Sequence, residues 1–205
     1  MSTPRYSLVR ENDFNQLKIL EHVESTPLLN NRMLASKLGC SIKLAHSLLT
    51  KLVSKGCLHV KKVHSRRWDY FLTPQGIAEK ARLTYEFLDF SMHFYQEARR
   101  KSSQLCRRLA ESGVRRVALF GAGELAEIVF LGIREWDLVL TDVFDEEEGA
   151  FLNRPIKKLC EINDSEAEVF IVCSCDPKEP MNENFMPLEL PEKIPVYNIF
   201  GEILG

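Results

Sequence analysis

Apolar positions in the first hundred residues recur at helical spacing and are interrupted by glycine, proline and polar caps. Phe14, Leu17, Leu20 and Val23, with Ile19 beside them, predict a first helix over about 11–24, which Thr26-Pro27 then breaks. A polar Asn30-Asn31 pair leads into residues 33–56, MLASKLGCSIKLAHSLLTKLVSKG, where two more helices are predicted. Leu34, Ala35 and Leu38 form the inner face of one, and Leu44, Ala45, Leu48, Leu49 and Leu52 that of the other. Between them Gly39 suits the left-handed residue that ends a helix, and Ser41 suits the N-cap of the next. This is a helix-turn-helix, and it leaves Ile42, Lys43, His46, Ser47 and Lys51 pointing outward.

After Gly56 the period changes from helical to alternating. Leu58, Val60 and Lys62, then Tyr70 and Leu72, predict two short strands joined by the basic turn SRRW, a wing. Thr73-Pro74 next supplies an N-cap and a first-turn proline for a long helix. One stripe along it (Ile77, Ala81, Leu88, Tyr95, Ala98, Leu105, Leu109) keeps a spacing near 3.5, and Leu83, Phe87, Phe90 and Phe94 occupy another face. One face can pack within the subunit and the other on a second copy, so a homodimer is expected, with both stripes buried within one subunit as the alternative.

The second half reads strand, glycine turn, helix: VRRVALFGAGELAEIVFLGIRE carries Gly121 for a tight turn, Gly123 for close approach of a phosphate, and Ala126 for helix packing. A second strand, DLVLTDVFD, ends at Asp145, whose carboxylate suits ribose hydroxyls. A short helix near Lys157 to Ile162, a buried strand in EVFIVCS and a fourth in PVYNIF follow. The stretch PKEPMNENFMPLELPEK stands where a full Rossmann domain places a helix, so the domain reads as truncated. The predicted organisation is an α+β winged helix-turn-helix domain over 1–73, a long connecting and dimerisation helix over 74–112, and an α/β, truncated Rossmann-like domain over 113–205.

Charge sharpens this division. Residues 1–112 hold 19 Lys+Arg against 10 Asp+Glu, a net of +9, and residues 113–205 hold 8 against 19, a net of −11, together giving the −2 of the whole chain. A basic half with a helix-turn-helix fits double-stranded DNA. Lys43, His46, Ser47 and Lys51 are the candidates for the major groove, and Lys61, Lys62, His64, Arg66 and Arg67 for flanking phosphates. In the acidic half Gly121, Gly123 and Asp145 are the candidate site for a small ligand whose identity the sequence leaves open among a nucleotide, NAD(H) and a nucleotide sugar. Glu124 beside the turn and the run Glu146, Glu147, Glu148 oppose an anion there.

A ligand-free dimerisation or docking module is therefore the alternative for this half, and a nucleotide-sugar enzyme with an appended DNA-binding domain a third reading. No catalytic residue is nominated, because the second half has no histidine and no Ser/Lys or Tyr/Lys pair at reductase spacing. Nor is a metal site expected, since the six cysteines are scattered without CxxC pairs. Cys173 and Cys175 suit either a thiol sensor or buried structural thiols. No apolar run approaches membrane-span length, and MSTPRYSLVREND lacks a signal-peptide core, so a cytoplasmic protein is expected.

The run DYFLTPQGIAEKARLTYEFLDFSMHFYQEARR resembles the wing-to-helix segment of MarR-type winged-helix regulators associated with exopolysaccharide gene clusters, a likeness covering roughly residues 10–110. The resemblance implies a bacterial transcriptional regulator and supplies no effector. Residues 114–174 resemble the small Rossmann-like units that precede nucleotide-sugar and acyltransferase domains and, more loosely, the NADH-sensing half of redox repressors such as Rex.

Overall fold

The computed structural model describes residues 11–26, 31–64, 67–174 and 194–201. These fall into two compact units, residues 1–91 and 92–205.

The first unit opens with α1 (Glu11–Ser25), α2 (Asn31–Leu38) and α3 (Ile42–Ser54). Leu17, Ile19, Leu20 and Val23 meet Leu34 and Ala35 of α2 and Ala45, Leu48, Leu49 and Leu52 of α3 in one core. The turn between α2 and α3 has the expected chemistry. Gly39 sits at φ 62°, the Cys40 N–H bonds back to the Ala35 carbonyl at 3.0 Å, and Ser41 Oγ accepts from the Leu44 N–H at 3.2 Å. Leu44 departs from expectation: it is 47% exposed. It lies in the first turn of α3, at the border between the exposed face and the buried one.

The wing is an antiparallel pair, β1 (Leu58–His64) and β2 (Arg67–Leu72), in the register Leu58↔Leu72, Val60↔Tyr70, Lys62↔Trp68. The period of two puts those six residues on one face, whose root, Leu58 and Tyr70, is buried in the unit's core. The long helix α4 (Pro74–Glu111) follows directly. Thr73 Oγ accepts from the Gly76 N–H at 3.0 Å and donates to the Gly56 carbonyl at 2.6 Å, so one hydroxyl caps α4 and ties it to the turn after α3. Gly76 is needed for that approach, because a Cβ there would overlap the Cys57 carbonyl oxygen.

The two stripes of α4 separate by environment. Leu83 is buried in the first unit and Phe87 stacks on Phe14 with centroids 5.4 Å apart. Ile77, Tyr85 and Leu88 are exposed. Further along, Ala98, Leu105 and Leu109 are buried in the core of the second unit.

The second unit is a four-stranded parallel sheet in the order β4-β3-β7-β8, made by β3 (Arg116–Phe120), β4 (Val139–Phe144), β7 (Val169–Val172) and β8 (Val196–Asn198). One face carries Val117, Leu119, Leu140 and Ile171 against α5 (Glu124–Glu135) and the last turns of α4. Gly132 lets these helices touch, since its Cβ would fall 2.7 Å from Ser102 Oγ. The other face carries Ala118, Phe120, Phe144 and Phe170 and is covered by Ile162 and Ala167, on and just after a 3₁₀ helix (Leu159–Asp164) that stands near the short helix expected at 157–162. With both faces covered, β7 reads as four consecutive buried residues.

Between β4 and that helix lies a hairpin absent from the sequence reading, β5 (Ala150–Phe151) and β6 (Arg154–Pro155). Its turn residues Leu152 and Asn153 both have positive φ, 48° and 65°. The segment PKEPMNENFMPLELPEK lies outside the described residues.

Candidate nucleic-acid interface and glycine turn

On α3 the side chains of Lys43, His46, Ser47, Thr50 and Lys51 are all exposed, while Ala45, Leu48, Leu49 and Leu52 are buried. At 100° per residue the exposed set spans one continuous polar face. Ile42, 51% exposed, and Leu44 flank it at its N-terminal end. The face carries two lysines and no carboxylate. Two polar residues on it are tied locally: Thr50 Oγ donates to the His46 carbonyl at 2.9 Å, and His46 Nδ1 lies 3.0 Å from Asn31 Nδ2 on α2. Arg32 and Lys37 of α2 are exposed as well and add positive charge to the unit.

On the wing Lys61 and Lys62 are exposed. Lys62 Nζ lies over the Trp68 ring, 5.8 Å from its centroid, and Trp68 is itself 49% exposed. Arg66 lies outside the described residues, as do the side chains of His64 and Arg67, whose backbones end β1 and begin β2. Asn31, Thr50 and Trp68 escaped the sequence reading. Trp68 was legible as an aromatic beside a basic turn, whereas Asn31 becomes visible only once α2 is packed on α3.

In the second unit the glycine turn occupies the carboxyl end of β3. Gly121 is at φ 100°, and its N–H donates to the Phe144 carbonyl at 2.8 Å. A Cβ at Gly121 would lie 3.0 Å from the Cys173 carbonyl carbon and 3.1 Å from the Ser174 nitrogen. The ends of β3 and β7, where the strand order reverses, are thus in backbone contact. Gly123 differs. It is exposed, caps α5 at φ −80° with no side-chain hydrogen bond, and a Cβ there would meet nothing within 4 Å. The fold itself makes no demand for glycine at that position.

Asp145 follows β4 and is bound to backbone. Its Oδ2 accepts from the Ala122 N–H at 2.7 Å, and Oδ1 accepts from the N–H groups of Glu146 at 2.7 Å and Glu147 at 3.3 Å. The carboxylate therefore clamps the middle of the glycine turn to the end of β4. Oδ1 has both acceptor directions occupied and Oδ2 keeps one, so the clamp leaves room for a single hydroxyl donor. Nearby, Asp142 pairs with Lys157 Nζ at 2.6 Å and accepts from Ser165 Oγ at 2.5 Å. Burial opposes its charge, but the bonds from Lys157 and Ser165 outweigh it and hold the carboxyl below its ordinary range.

Cys173 is buried, and burial pushes its thiol well above the usual range, so it has the environment of a structural rather than a reactive thiol. Cys106, in the same core, is pushed up to about 12 by burial. Cys175 lies outside the described residues. Among the described residues no group of three or more His, Cys, Asp or Glu is placed to hold a metal ion, and no helix is long and apolar enough to cross a membrane.

These features define a winged-helix unit joined to a small Rossmann-like unit of four parallel strands. No family model matches the chain, and no curated protein does. Among solved structures it is similar to a MarR family transcription regulator at 21% identity and TM-score 0.38, covering 43% of this chain and 64% of that one. It is similar also to MepR, a transcription regulator of the Staphylococcus aureus multidrug efflux pump MepA, at 20% identity and TM-score 0.35, covering 40% of this chain and 61% of that one. The chain thus spans less than two thirds of either regulator. A Rex-family repressor in complex with β-NADH is similar at 11% identity and TM-score 0.31, with 97% of this chain and 88% of that one covered.

Proposed function

We propose that this chain is a cytoplasmic DNA-binding transcriptional regulator that acts as a homodimer through α4 and carries a nucleotide-type effector site in its second unit. The observation that carries the DNA-binding reading is the uninterrupted exposed face of α3, with Lys43, His46, Ser47 and Lys51 on it and no carboxylate. An α-helix with that face fits the major groove, and Lys61 and Lys62 on β1 suit the adjoining backbone. Ile77 and Leu88, exposed members of the first stripe, with exposed Tyr85 beside them, support a second copy against α4. A two-fold pair would set two recognition helices against half-sites about 34 Å apart. Control of exopolysaccharide or other cell-surface genes is the finer form of this reading, and it rests on the likeness of the DYFLTPQGIAEKARLT segment alone.

The test is a fluorescence-anisotropy titration of the full chain with mixed-sequence duplex DNA across a salt series. Affinity should fall linearly in logarithmic terms with salt, and the slope should drop by about one for each of Lys43→Ala and Lys51→Ala. Binding indifferent to salt would refute the phosphate contacts.

For the second unit, the open position at Gly123 supports a phosphate at the α5 N-terminus, and Asp145 beside the turn supports a ribose. NAD(H) and nucleotide sugars share that chemistry. A ligand would act by favouring one dimer geometry, and only to the extent that it binds the two geometries unequally. The ligand-free docking reading has its own support, because Asp145 already satisfies the Ala122 N–H and the β3 and β7 ends are closed by direct backbone contact. Calorimetry with NADH, NAD and a nucleotide sugar separates them: heat from none leaves the docking module. The third reading, a nucleotide-sugar enzyme, is tested by turnover of a nucleotide sugar, and detectable turnover would favour it over both.

A further inference from the structure

Asn31 is the first residue of α2 and belongs to neither the recognition face nor the wing, yet its side-chain Nδ2 lies 3.0 Å from Nδ1 of His46 on α3. An amide nitrogen can only donate, so Nδ1 is the acceptor, and a neutral imidazole that accepts at Nδ1 carries its proton on Nε2. The pair is exposed. A hydrogen bond in that setting adds little to stability, because water competes for both groups. Its geometry constrains the orientation of the ring, on a side chain that stands between Lys43 and Thr50 on the polar face of α3.

We propose that Asn31 is a positioning residue which holds His46 as an Nε2–H donor, so that α3 offers one hydrogen-bond donor to an acceptor on a base edge. This rests on the DNA-binding reading of α3. In the major groove purine N7, guanine O6 and thymine O4 accept, whereas cytosine presents only its N4 amine donor. A fixed Nε2–H therefore selects against cytosine at the base that His46 faces. A ring free to exchange tautomers reads donor and acceptor edges alike.

Two measurements on the 205-residue chain test this. Long-range ¹H–¹⁵N NMR at pH 8 reports which ring nitrogen of His46 carries the proton. The wild type should show a protonated Nε2 and an unprotonated Nδ1, and Asn31→Ala should shift the ring toward a mixture. Selection from a randomised duplex pool then reports base preference. The wild type should exclude cytosine at one position per half-site, and Asn31→Ala and His46→Ala should both relax that position, by about fivefold or more, and no other. The salt slope of Asn31→Ala should match that of the wild type, because no phosphate contact is removed.

An Nδ1–H ring in the wild type overturns the proposal, as does an Asn31→Ala variant with unaltered base preference. A salt slope reduced by about one makes Asn31 a phosphate contact instead. A wild-type chain that enriches no duplex overturns the DNA-binding reading and the proposal with it, and the NMR result then stands as a statement about the Asn31–His46 pair alone.

Discussion

Gly121 and Gly123 are two residues apart in one turn, and alanine at each should have opposite consequences. At Gly121 the backbone is at φ 100° and a Cβ would approach the Cys173 carbonyl carbon to 3.0 Å and the Ser174 nitrogen to 3.1 Å. A side chain in that backbone region costs about 1–2 kcal/mol. Crowding against backbone that cannot swing aside adds about 1–3 kcal/mol. The sum, about 2–5 kcal/mol, is a large fraction of the roughly 5–15 kcal/mol that holds a domain folded. At about 4 °C per kcal/mol for a unit of this size, the melting temperature should fall by about 8–20 °C.

At Gly123 the backbone is extended, at φ −80° and ψ −168°, and a Cβ would meet nothing within 4 Å. Alanine is a poorer N-cap than glycine by about 0.5 kcal/mol, and restricting the unfolded chain returns about 0.4–1 kcal/mol, so the net change stays within about 0.5 kcal/mol. Only two tryptophans are present, Trp68 and Trp136. Thermal unfolding in a Trp68→Phe background thus follows Trp136, whose indole N–H donates to Ser103 Oγ inside the second unit. A Gly121→Ala variant that melts with the wild type, or a Gly123→Ala variant that loses more than about 2 kcal/mol, would refute this account of the turn. The stable Gly123→Ala protein then probes the ligand. It should bind NADH or a nucleotide sugar at least tenfold more weakly than the wild type if phosphate rests there, and unchanged affinity would remove Gly123 from any such site.

Leu88→Arg on the exposed stripe, where Leu88 is 57% exposed, should leave the melting temperature of the monomer intact and convert a dimer to a monomer in sedimentation equilibrium at micromolar concentration. Gly76→Ala should destabilise the first unit by about 3 kcal/mol or more in chemical denaturation, because its Cβ would overlap the Cys57 carbonyl oxygen. Asp142 is held below its ordinary pKa of 3.8, so its contribution is complete above that value and is lost as pH falls through the lower, folded value. Acid unfolding of the second unit should accordingly flatten below about pH 4 in Asp142→Asn, whereas an unchanged acid limb would show that the Lys157 and Ser165 bonds add nothing.

What was legible in the sequence was whatever has a period or a cap. Gly39 and Ser41 located the turn between α2 and α3, the alternation Leu58, Val60, Lys62 gave the wing its inner face, and the runs VALF and VFIV marked strands covered on both sides. What was not legible depends on partners remote in sequence. Leu44 has the spacing of a core residue but falls at the border of the buried face of α3, where it is 47% exposed. The β5–β6 hairpin hides because its turn is Leu152-Asn153 rather than a glycine pair, leaving a leucine at φ 48° that no sequence rule favours. The stripe along α4 marks Ala98, Leu105 and Leu109 as apolar, but its even period does not tell that they enter the second core while Ile77 and Leu88 stay exposed.

The two candidate sites differ most in which of their polar groups are already satisfied. On α3 the lysine heads stand in water with no carboxylate on the same face, so a polyanion meets ready cations and releases its counterions. In the glycine turn the Gly121 and Ala122 N–H groups are bound to Phe144 and Asp145, which leaves the uncapped start of α5 at Gly123 and Glu124 as the place where a phosphate would find donors. Any anion there also meets Glu124 and a half-chain of net −11. A ligand of this unit must therefore gain from directed bonds at the α5 N-terminus and from a hydroxyl on Asp145 what the surrounding field takes away. Added salt screens that field. If both sites act as proposed, nucleotide affinity should rise with ionic strength while DNA affinity falls, giving opposite salt signatures within one chain.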